Sequence, residues 1–138
     1  LLVDGYNVIF AWDELKKIAA ENLDAARRRL MDILCNYAGY RKCVPILVFD
    51  AYRVKGAGRE QETWHNLHVI YTREAETADM FIERTTHELA KNHRVRVVSS
   101  DGAEQIIILG NGALRVSARA FEREVRAVEA EIREFLDQ

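Results

Sequence analysis

The stretch Pro45-Ile46-Leu47-Val48-Phe49-Asp50 decides the fold class of this 138-residue chain. It is apolar on both faces of an extended strand and stops at an aspartate, which is typical of a strand buried inside a parallel sheet. Candidate strands of the same kind are Leu1–Asp4, Leu67–Thr72, Arg94–Ser99 and a short Leu114–Ser117. The sequence therefore predicts a mostly parallel sheet of about five strands.

Longer amphipathic segments alternate with these strands. Apolar residues recur at helical spacing over Leu23–Tyr37, Ala78–Leu89 and Phe121–Leu136, and Ser117 is placed to cap the last of these helices. A further short helix is expected over Gly102–Leu109, before the Gly-Asn-Gly that follows it. The alternation predicts an α/β domain in which helices connect parallel strands.

Length and composition indicate one globular domain over residues 1–138. Apolar residues make up 49% of the chain and charged residues 30%, which excludes disorder, and no apolar run approaches the roughly 20 residues of a membrane helix. Because the chain starts inside an apolar run with no basic segment before it, we expect no secretory signal and a few native residues missing ahead of Leu1. Cys35 and Cys43 lack metal-type or disulfide spacing, so we expect reduced thiols and a cytoplasmic location.

Carboxylates follow several of the predicted strands. Asp4, Asp50 and Asp101 end or follow the first, second and fourth strands, Asp79 lies early in the helix after the third, and Glu83 comes one turn later. Because the carboxyl ends of parallel strands meet at one edge of a sheet, we expect Asp4, Asp79 and Asp101 to converge there. Carboxylates that converge repel one another, so at least one should have a raised pKa unless a cation neutralises them. Oxygen donors of this kind suit Mg²⁺ or Mn²⁺.

Each of these residues also has a structural interpretation. Aspartates at strand ends often cap the next helix or close a turn, and acidic residues such as Glu83 are favoured early in a helix by its dipole. Asn7 could orient a metal-bound water or a phosphate oxygen, or could cap the helix that follows. The residues alone leave these alternatives open.

Positive charge is concentrated in one segment. The whole chain has 20 basic and 22 acidic residues, a net charge of −2, but residues 27–59 carry eight basic and two acidic residues. The stretch Ala51–Gln61, which overlaps the end of this segment, lacks consistent periodicity and is expected to be a mobile, solvent-facing loop or the frayed start of a helix, and it carries Arg53, Lys55 and Arg59. Because the loop follows Asp50, we expect it to overhang the acidic edge and to hold RNA phosphates there by charge.

A set of motifs carries a family resemblance. The motifs are Leu1–Ile9 (LLVDGYNVI), Val48–Tyr52 (VFDAY), Thr77–Glu83 (TADMFIE), Val97–Gln105 (VVSSDGAEQ) and Gly112–Arg119 (GALRVSAR). Each motif alone is weak evidence. Together the motifs span essentially the whole chain and resemble the YacP-like branch of the NYN domains in the PIN-like nuclease superfamily.

The resemblance implies a three-layer α/β/α PIN-like fold and a metal-dependent endoribonuclease that uses Mg²⁺ or Mn²⁺. It implies Asp4, Asp79, Asp101 and Asn7 as catalytic residues, with the three aspartates binding metal and Asp50 and Glu83 supporting them. Members of this branch include a ribosome-associated endonuclease that cuts translated mRNA. The implied partners are therefore RNA, in particular mRNA, and the ribosome.

Other enzyme classes fit the sequence less well. A phosphatase of the haloacid dehalogenase type needs a second aspartate two residues after the first, where this chain has Tyr6. Gly56 and Gly58 are not followed by a glycine at position 61 and do not lie between a strand and a helix, so we expect no nucleotide cofactor. The serious alternative is a non-catalytic RNA- or ribosome-binding module with the same fold.

Overall fold

The structure, a computed structural model, describes residues 1–50, 61–73, 75–99, 107–108 and 112–138. Within these ranges the chain forms seven strands and five helices in a single sheet-centred body. The strands are β1 (Leu2–Asp4), β2 (Ile46–Phe49), β3 (Gln61–Trp64), β4 (Leu67–Tyr71), β5 (Arg96–Val98), β6 (Ile107–Ile108) and β7 (Leu114–Val116). The helices are α1 (Gly5–Ala11), α2 (Asp13–Glu21), α3 (Leu23–Arg41), α4 (Ala78–Leu89) and α5 (Ala118–Leu136).

The sheet has the strand order β3-β4-β2-β1-β5-β7-β6. The five central strands are mutually parallel, and β1 lies in the middle, pairing with β2 through Leu2 and Ile46 and with β5 through Leu2 and Val97. The edge strands β3 and β6 run antiparallel to their neighbours. All five predicted strands are present, and the α/β class with a mostly parallel sheet is confirmed.

The two faces of the sheet are covered by different helices. On one face α1, α3 and α5 pack over β1 and its neighbours through a large buried cluster that includes Trp12, Leu34 and Phe121. On the other face α4 packs through Ala78 and Ile82 against a smaller cluster from the strands. The result is the three-layer α/β/α arrangement that the resemblance implies.

Local signals explain where the helices begin. Asn22, Thr77 and Ser117 each accept a hydrogen bond from a backbone N–H three residues later, which satisfies one of the free donors at the start of α3, α4 and α5. The predicted cap at Ser117 is therefore confirmed. At the other end of α3, Lys42 adopts the left-handed conformation, with φ of 55°, and stops the helix.

Two predictions about local structure were wrong. The helix expected over Gly102–Leu109 is contradicted at Ile107–Ile108, which form β6 against β7, since a short apolar run is compatible with either element. Gln61, expected to end a loop, begins β3 instead. The remainder of the expected loop and helix lies outside the described residues. Among the helices that are described, none is both long and apolar enough to cross a lipid bilayer.

Candidate active site

Buried polar side chains mark the carboxyl edge of the sheet. Five polar or charged residues of the described ranges are buried, and four of them end or directly follow central strands. These four are Asp4 at the end of β1, Thr72 after β4, Ser99 after β5 and Ser117 after β7. Since burying polar groups carries a free-energy cost, their concentration along one edge points to that edge as the functional one.

Asp4 occupies the centre of this edge, between β1 and α1. It is the N-cap of α1, and its Oδ1 accepts a hydrogen bond from the backbone N–H of Asn7 at 3.4 Å. The side-chain amide of Asn7 donates to the Asp4 Oδ2 at 2.6 Å. Asn7 therefore lies inside α1, where it holds the Asp4 carboxylate, and it is Asp4 that caps the helix.

The environment of Asp4 favours its protonated form. Its side chain is only 5% exposed, and burial is the main reason that its pKa rises from 3.8 to about 7. The backbone hydrogen bond from Asn7 opposes this rise, whereas the negative charges of Asp79 and Asp50 and a hydrogen bond with the Asp79 side chain add to it. A raised pKa in the acidic cluster is what the sequence predicted.

Asp79 reaches Asp4 from α4, the helix that covers one face of the sheet. It is exposed in the first turn of α4, and its carboxyl group lies close enough to that of Asp4 to raise the Asp4 pKa, both by its charge and by side-chain hydrogen bonding. Two carboxyl groups can share a hydrogen bond only when one of them carries a proton. The structure thus brings together two of the three aspartates that were expected to converge.

Asp50 fixes the position of Asp79. It follows β2, and its Oδ1 accepts a hydrogen bond from the backbone N–H of Ala78 at 2.6 Å, which fastens the start of α4 to the end of β2. One oxygen of Asp50 is therefore committed to a backbone donor. Its contribution to metal binding stays a prediction.

The other predicted residues are less closely placed or lie outside the described ranges. Glu83 is exposed one turn after Asp79 and borders an open groove of about 880 Å³ along α4. Asp101, the expected third metal ligand, is outside the described residues, as are Arg53, Lys55 and Arg59 of the expected RNA-binding loop. Their roles stay predictions.

The side chains at this edge carry the type of donor atom that a hard divalent cation prefers. Asp4 and Asp79 offer oxygen donors, and the charges that act most strongly on Asp4 are those of carboxylates, which a cation would relieve. Within the described ranges no three His, Cys, Asp or Glu side chains are grouped closely enough to hold a metal ion. A divalent cation held by this pair would therefore need a further donor, from the remaining residues, water or a substrate phosphate.

Sequence reasoning missed one polar contact at this edge. Arg115, in β7, donates a hydrogen bond from its Nε to the Oγ of Ser99 at 3.0 Å. The only signal in the sequence is a single arginine inside an otherwise uncharged strand. The contact depends on β7 lying beside β5, and strand order cannot be obtained from the pattern of apolar residues.

Comparison with known proteins identifies related domains. A family model described as the YacP-like NYN domain matches residues 1–138. The YacP protein of Bacillus subtilis (strain 168) is 44% identical over 133 residues, which cover 96% of this chain and 78% of that protein.

Two crystal structures from the same organism are also similar. The structure of Rae1 (YacP) superposes with a TM-score of 0.82 at 42% identity, covering 99% of this chain and 78% of that one. A single-substitution variant of Rae1 (YacP) gives a TM-score of 0.79 at 40% identity, covering 96% and 78% of the two chains. The similarity in fold therefore extends over nearly the whole of this chain.

Proposed function

Since the chain belongs to the YacP-like NYN domain family, whose members are nuclease-like, we propose that it is a metal-dependent endoribonuclease. It hydrolyses phosphodiester bonds of RNA, with mRNA in a translation- or ribosome-linked context in the cytoplasm as its substrate. The single observation that carries this proposal is the Asp4–Asp79 carboxyl pair at the carboxyl edge of the sheet.

The pair suits phosphodiester hydrolysis because of how it is held. Asp4 is fixed by two hydrogen bonds from Asn7, and Asp79 is fixed through the contact between Asp50 and the start of α4. Bound Mg²⁺ or Mn²⁺ would polarise a phosphoryl oxygen and lower the pKa of an attacking water. In this proposal Asp101 supplies the third metal-binding carboxylate, and Glu83 supports the site from α4.

The link to mRNA and the ribosome rests on the family resemblance of the sequence motifs. The acidic edge by itself repels phosphates, so a separate basic surface has to hold the RNA. Arg53, Lys55 and Arg59 follow Asp50 in the chain, and we assign them this part.

The proposal predicts cleavage that depends on a divalent cation. Purified protein should cut a labelled single-stranded RNA, or mRNA on translating ribosomes, with Mg²⁺ or Mn²⁺ and lose this activity with excess chelator. Gel analysis of the products should reveal internal cuts. Activity that persists in chelator would contradict the metal requirement. Binding without any cleavage under all these conditions would contradict the nuclease assignment.

A non-catalytic RNA- or ribosome-binding module remains the second candidate. It is favoured by the structural roles that two of the aspartates already have, since Asp4 caps α1 and Asp50 accepts a hydrogen bond from the backbone N–H of Ala78. Such a module would bind RNA without divalent cations and would not cut it. The Asp4 substitution analysed in the Discussion separates the two candidates.

Replacing Arg53, Lys55 and Arg59 together with alanine tests the RNA path. We expect RNA affinity to fall roughly tenfold. The slope of log K against log salt should become shallower by about 2, because each phosphate that the variant no longer neutralises contributes about 0.7 to the slope. Fluorescence anisotropy with an RNA oligonucleotide at several salt concentrations measures both quantities. Melting temperature and Mn²⁺ affinity should be unchanged.

The matched control for this variant removes three other exposed cations. Lys91, Arg94 and Arg133 lie near the opposite edge of the sheet, where α4 and α5 end and β5 begins. Their replacement by alanine makes the same change in net charge without touching the proposed RNA path. An equal fall in affinity in both triple variants would mean that overall charge, and not the loop, governs binding.

A further inference from the structure

The side chain of Arg115 is held at the acidic edge by Ser99. Its Nε donates to the Ser99 Oγ at 3.0 Å, and Ser99 is itself 4% exposed. A buried hydroxyl that accepts from the Nε fixes the plane of the guanidinium, so the other four N–H donors of the group point in set directions. This rigidity distinguishes Arg115 from a surface arginine.

Arg115 lies on the same face of the sheet as the acidic pair. It is paired in register with Val97, whose side chain belongs to the cluster under α4, and Val97 is paired in turn with Leu2 of the same cluster. Side chains two residues apart on a strand share a face, which places Ser99 and Asp4 on this face as well.

Ser99 therefore lies between Arg115 and Asp4. Asp4 and Ser99 come one residue after the last paired positions of β1 and β5, Val3 and Val98, and adjacent strands are about 4.8 Å apart. Since the strands lie in the order β1-β5-β7, the order across the edge is Asp4, Ser99, Arg115, and Asp79 acts on Asp4 from α4. The charges that act most on Asp4 are those of the carboxylates Asp79 and Asp50.

A fixed guanidinium beside a carboxylate pair suits one kind of ligand. Guanidinium groups bind phosphate oxygens through paired N–H donors, and carboxylates bind the metal that the same phosphate would share. We infer that Arg115 binds a phosphate group of the RNA next to the Asp4–Asp79 pair, and that Ser99 positions its guanidinium for this contact. This inference rests on the proposed function and adds a phosphate-binding residue outside the Arg53–Arg59 loop.

The test combines three variants with a matched control. Arg115→Gln removes the charge, Arg115→Lys keeps the charge without the planar fork, and Ser99→Ala removes only the positioning contact. Arg133→Gln removes an exposed cation at the far end of α5 and serves as the control. Each is compared with the parent protein for melting temperature, Mn²⁺ affinity, RNA affinity in chelator at several salt concentrations, and single-turnover cleavage with Mn²⁺.

We expect Arg115→Gln to slow single-turnover cleavage by about 100-fold, the scale seen when one donor to a developing oxyanion is removed. For the same variant, the slope of log K for RNA binding against log salt should become shallower by about 0.7, the value for one phosphate contact. Arg115→Lys should recover part of the cleavage rate and the whole salt slope, since the charge remains. Ser99→Ala should slow cleavage by roughly tenfold with the slope unchanged, because it disturbs orientation alone. Mn²⁺ affinity should stay within about twofold of the parent throughout, since none of these side chains belongs to the proposed metal ligands.

Three results would overturn the inference. If Arg115→Gln and Arg115→Lys bind and cut RNA as the parent does, the contact with Ser99 only secures the end of β5. If Arg115→Gln fails to fold, the other two variants decide. Cleavage rates equal to those of the parent in both Arg115→Lys and Ser99→Ala would then lead to the same conclusion. If the parent neither binds nor cuts RNA, the proposed function falls together with this inference. If the parent binds without cutting, the salt slopes alone decide for or against Arg115.

Discussion

Asp4→Asn is expected to remove RNA cleavage, by at least about 100-fold in single-turnover rate, since it takes a negative oxygen from the proposed metal-binding pair. The substitution changes shape very little. Asparagine is as good an N-cap as aspartate, so α1 should still begin at Gly5. RNA affinity in chelator should be retained or increased, because a negative charge that repels phosphate is gone.

The same substitution is expected to stabilise the metal-free protein above neutral pH. The pKa of Asp4 is raised to about 7 in the folded protein, against a usual value near 3.9 for an unfolded chain. The folded state therefore binds this proton more tightly, and the resulting stability is fully present below about pH 4 and is lost as pH rises through 7. Above pH 7 the ionised, buried carboxylate lowers the free energy of unfolding by a few kcal/mol, because each pKa unit corresponds to about 1.4 kcal/mol.

Thermal unfolding in chelator measures this effect. The melting temperature of the parent should fall between pH 5 and pH 8 by more than that of Asp4→Asn, and added Mg²⁺ should narrow the difference at pH 8. Asp13→Asn, an exposed acidic residue in the first turn of α2, is the control and should follow the parent. Identical pH dependence in the parent and Asp4→Asn would show that Asp4 does not titrate near neutrality. Undiminished cleavage by Asp4→Asn would remove Asp4 from the proposed machinery.

The central sheet could be predicted because its strands are buried on both faces. Segments such as Ile46–Phe49 leave no polar side to the strand, and this pattern occurs where helices cover both faces of a parallel sheet. The edge strands carry no such signal. β3 reads Gln-Glu-Thr-Trp, and the two isoleucines of β6 lie in an apolar run that a helix also accommodates. Tertiary pairing, not local pattern, makes these residues strands.

The candidate site was predictable in part for a related reason. The ends of parallel strands and the starts of the helices that follow them lie at one edge of the sheet, so the meeting of Asp4 with Asp79 follows from sequence position and fold class together. The function of Asp50 as an acceptor for the Ala78 N–H depends on how α4 docks, which the sequence does not specify. The contact between Arg115 and Ser99 depends on strand order in the same way.

Gly5→Ala is expected to destabilise the protein strongly, although Gly5 begins a helix and alanine is the better helix former. A Cβ at this position would lie 2.6 Å from the Cδ1 of Phe49 and 2.9 Å from its Cζ, and closer still to the Cε1. These separations are far below van der Waals contact. The backbone of α1 must therefore pass directly over the Phe49 ring, which only glycine permits.

The Phe49 ring has little room to move away. It is completely buried, with the ring of Tyr6 centred 5.0 Å from it on one side and that of Tyr71 centred 6.0 Å away on another. Overpacking of a well-packed core costs about 1–3 kcal/mol and occasionally more, and we expect a value near the upper end here. Gly39→Ala is the matched control, because a Cβ there meets no atom within 4 Å; it should stabilise α3 by roughly 0.5–1 kcal/mol.

The effect of Gly5→Ala should reach the acidic edge as well. Gly5 directly follows Asp4 and Phe49 directly precedes Asp50, so relief of the clash has to shift one or both of the strand ends that place the Asp4–Asp79 pair. Cleavage should therefore fall at least about tenfold at temperatures where the variant is still folded, since small displacements of reacting groups have large effects on rate. Chemical denaturation and single-turnover cleavage at low temperature measure the two effects separately. Phe49→Leu in the Gly5→Ala background should recover part of the stability and part of the cleavage rate, because it makes room for the Cβ. A Gly5→Ala protein as stable and active as Gly39→Ala would mean that α1 can shift without disturbing the edge.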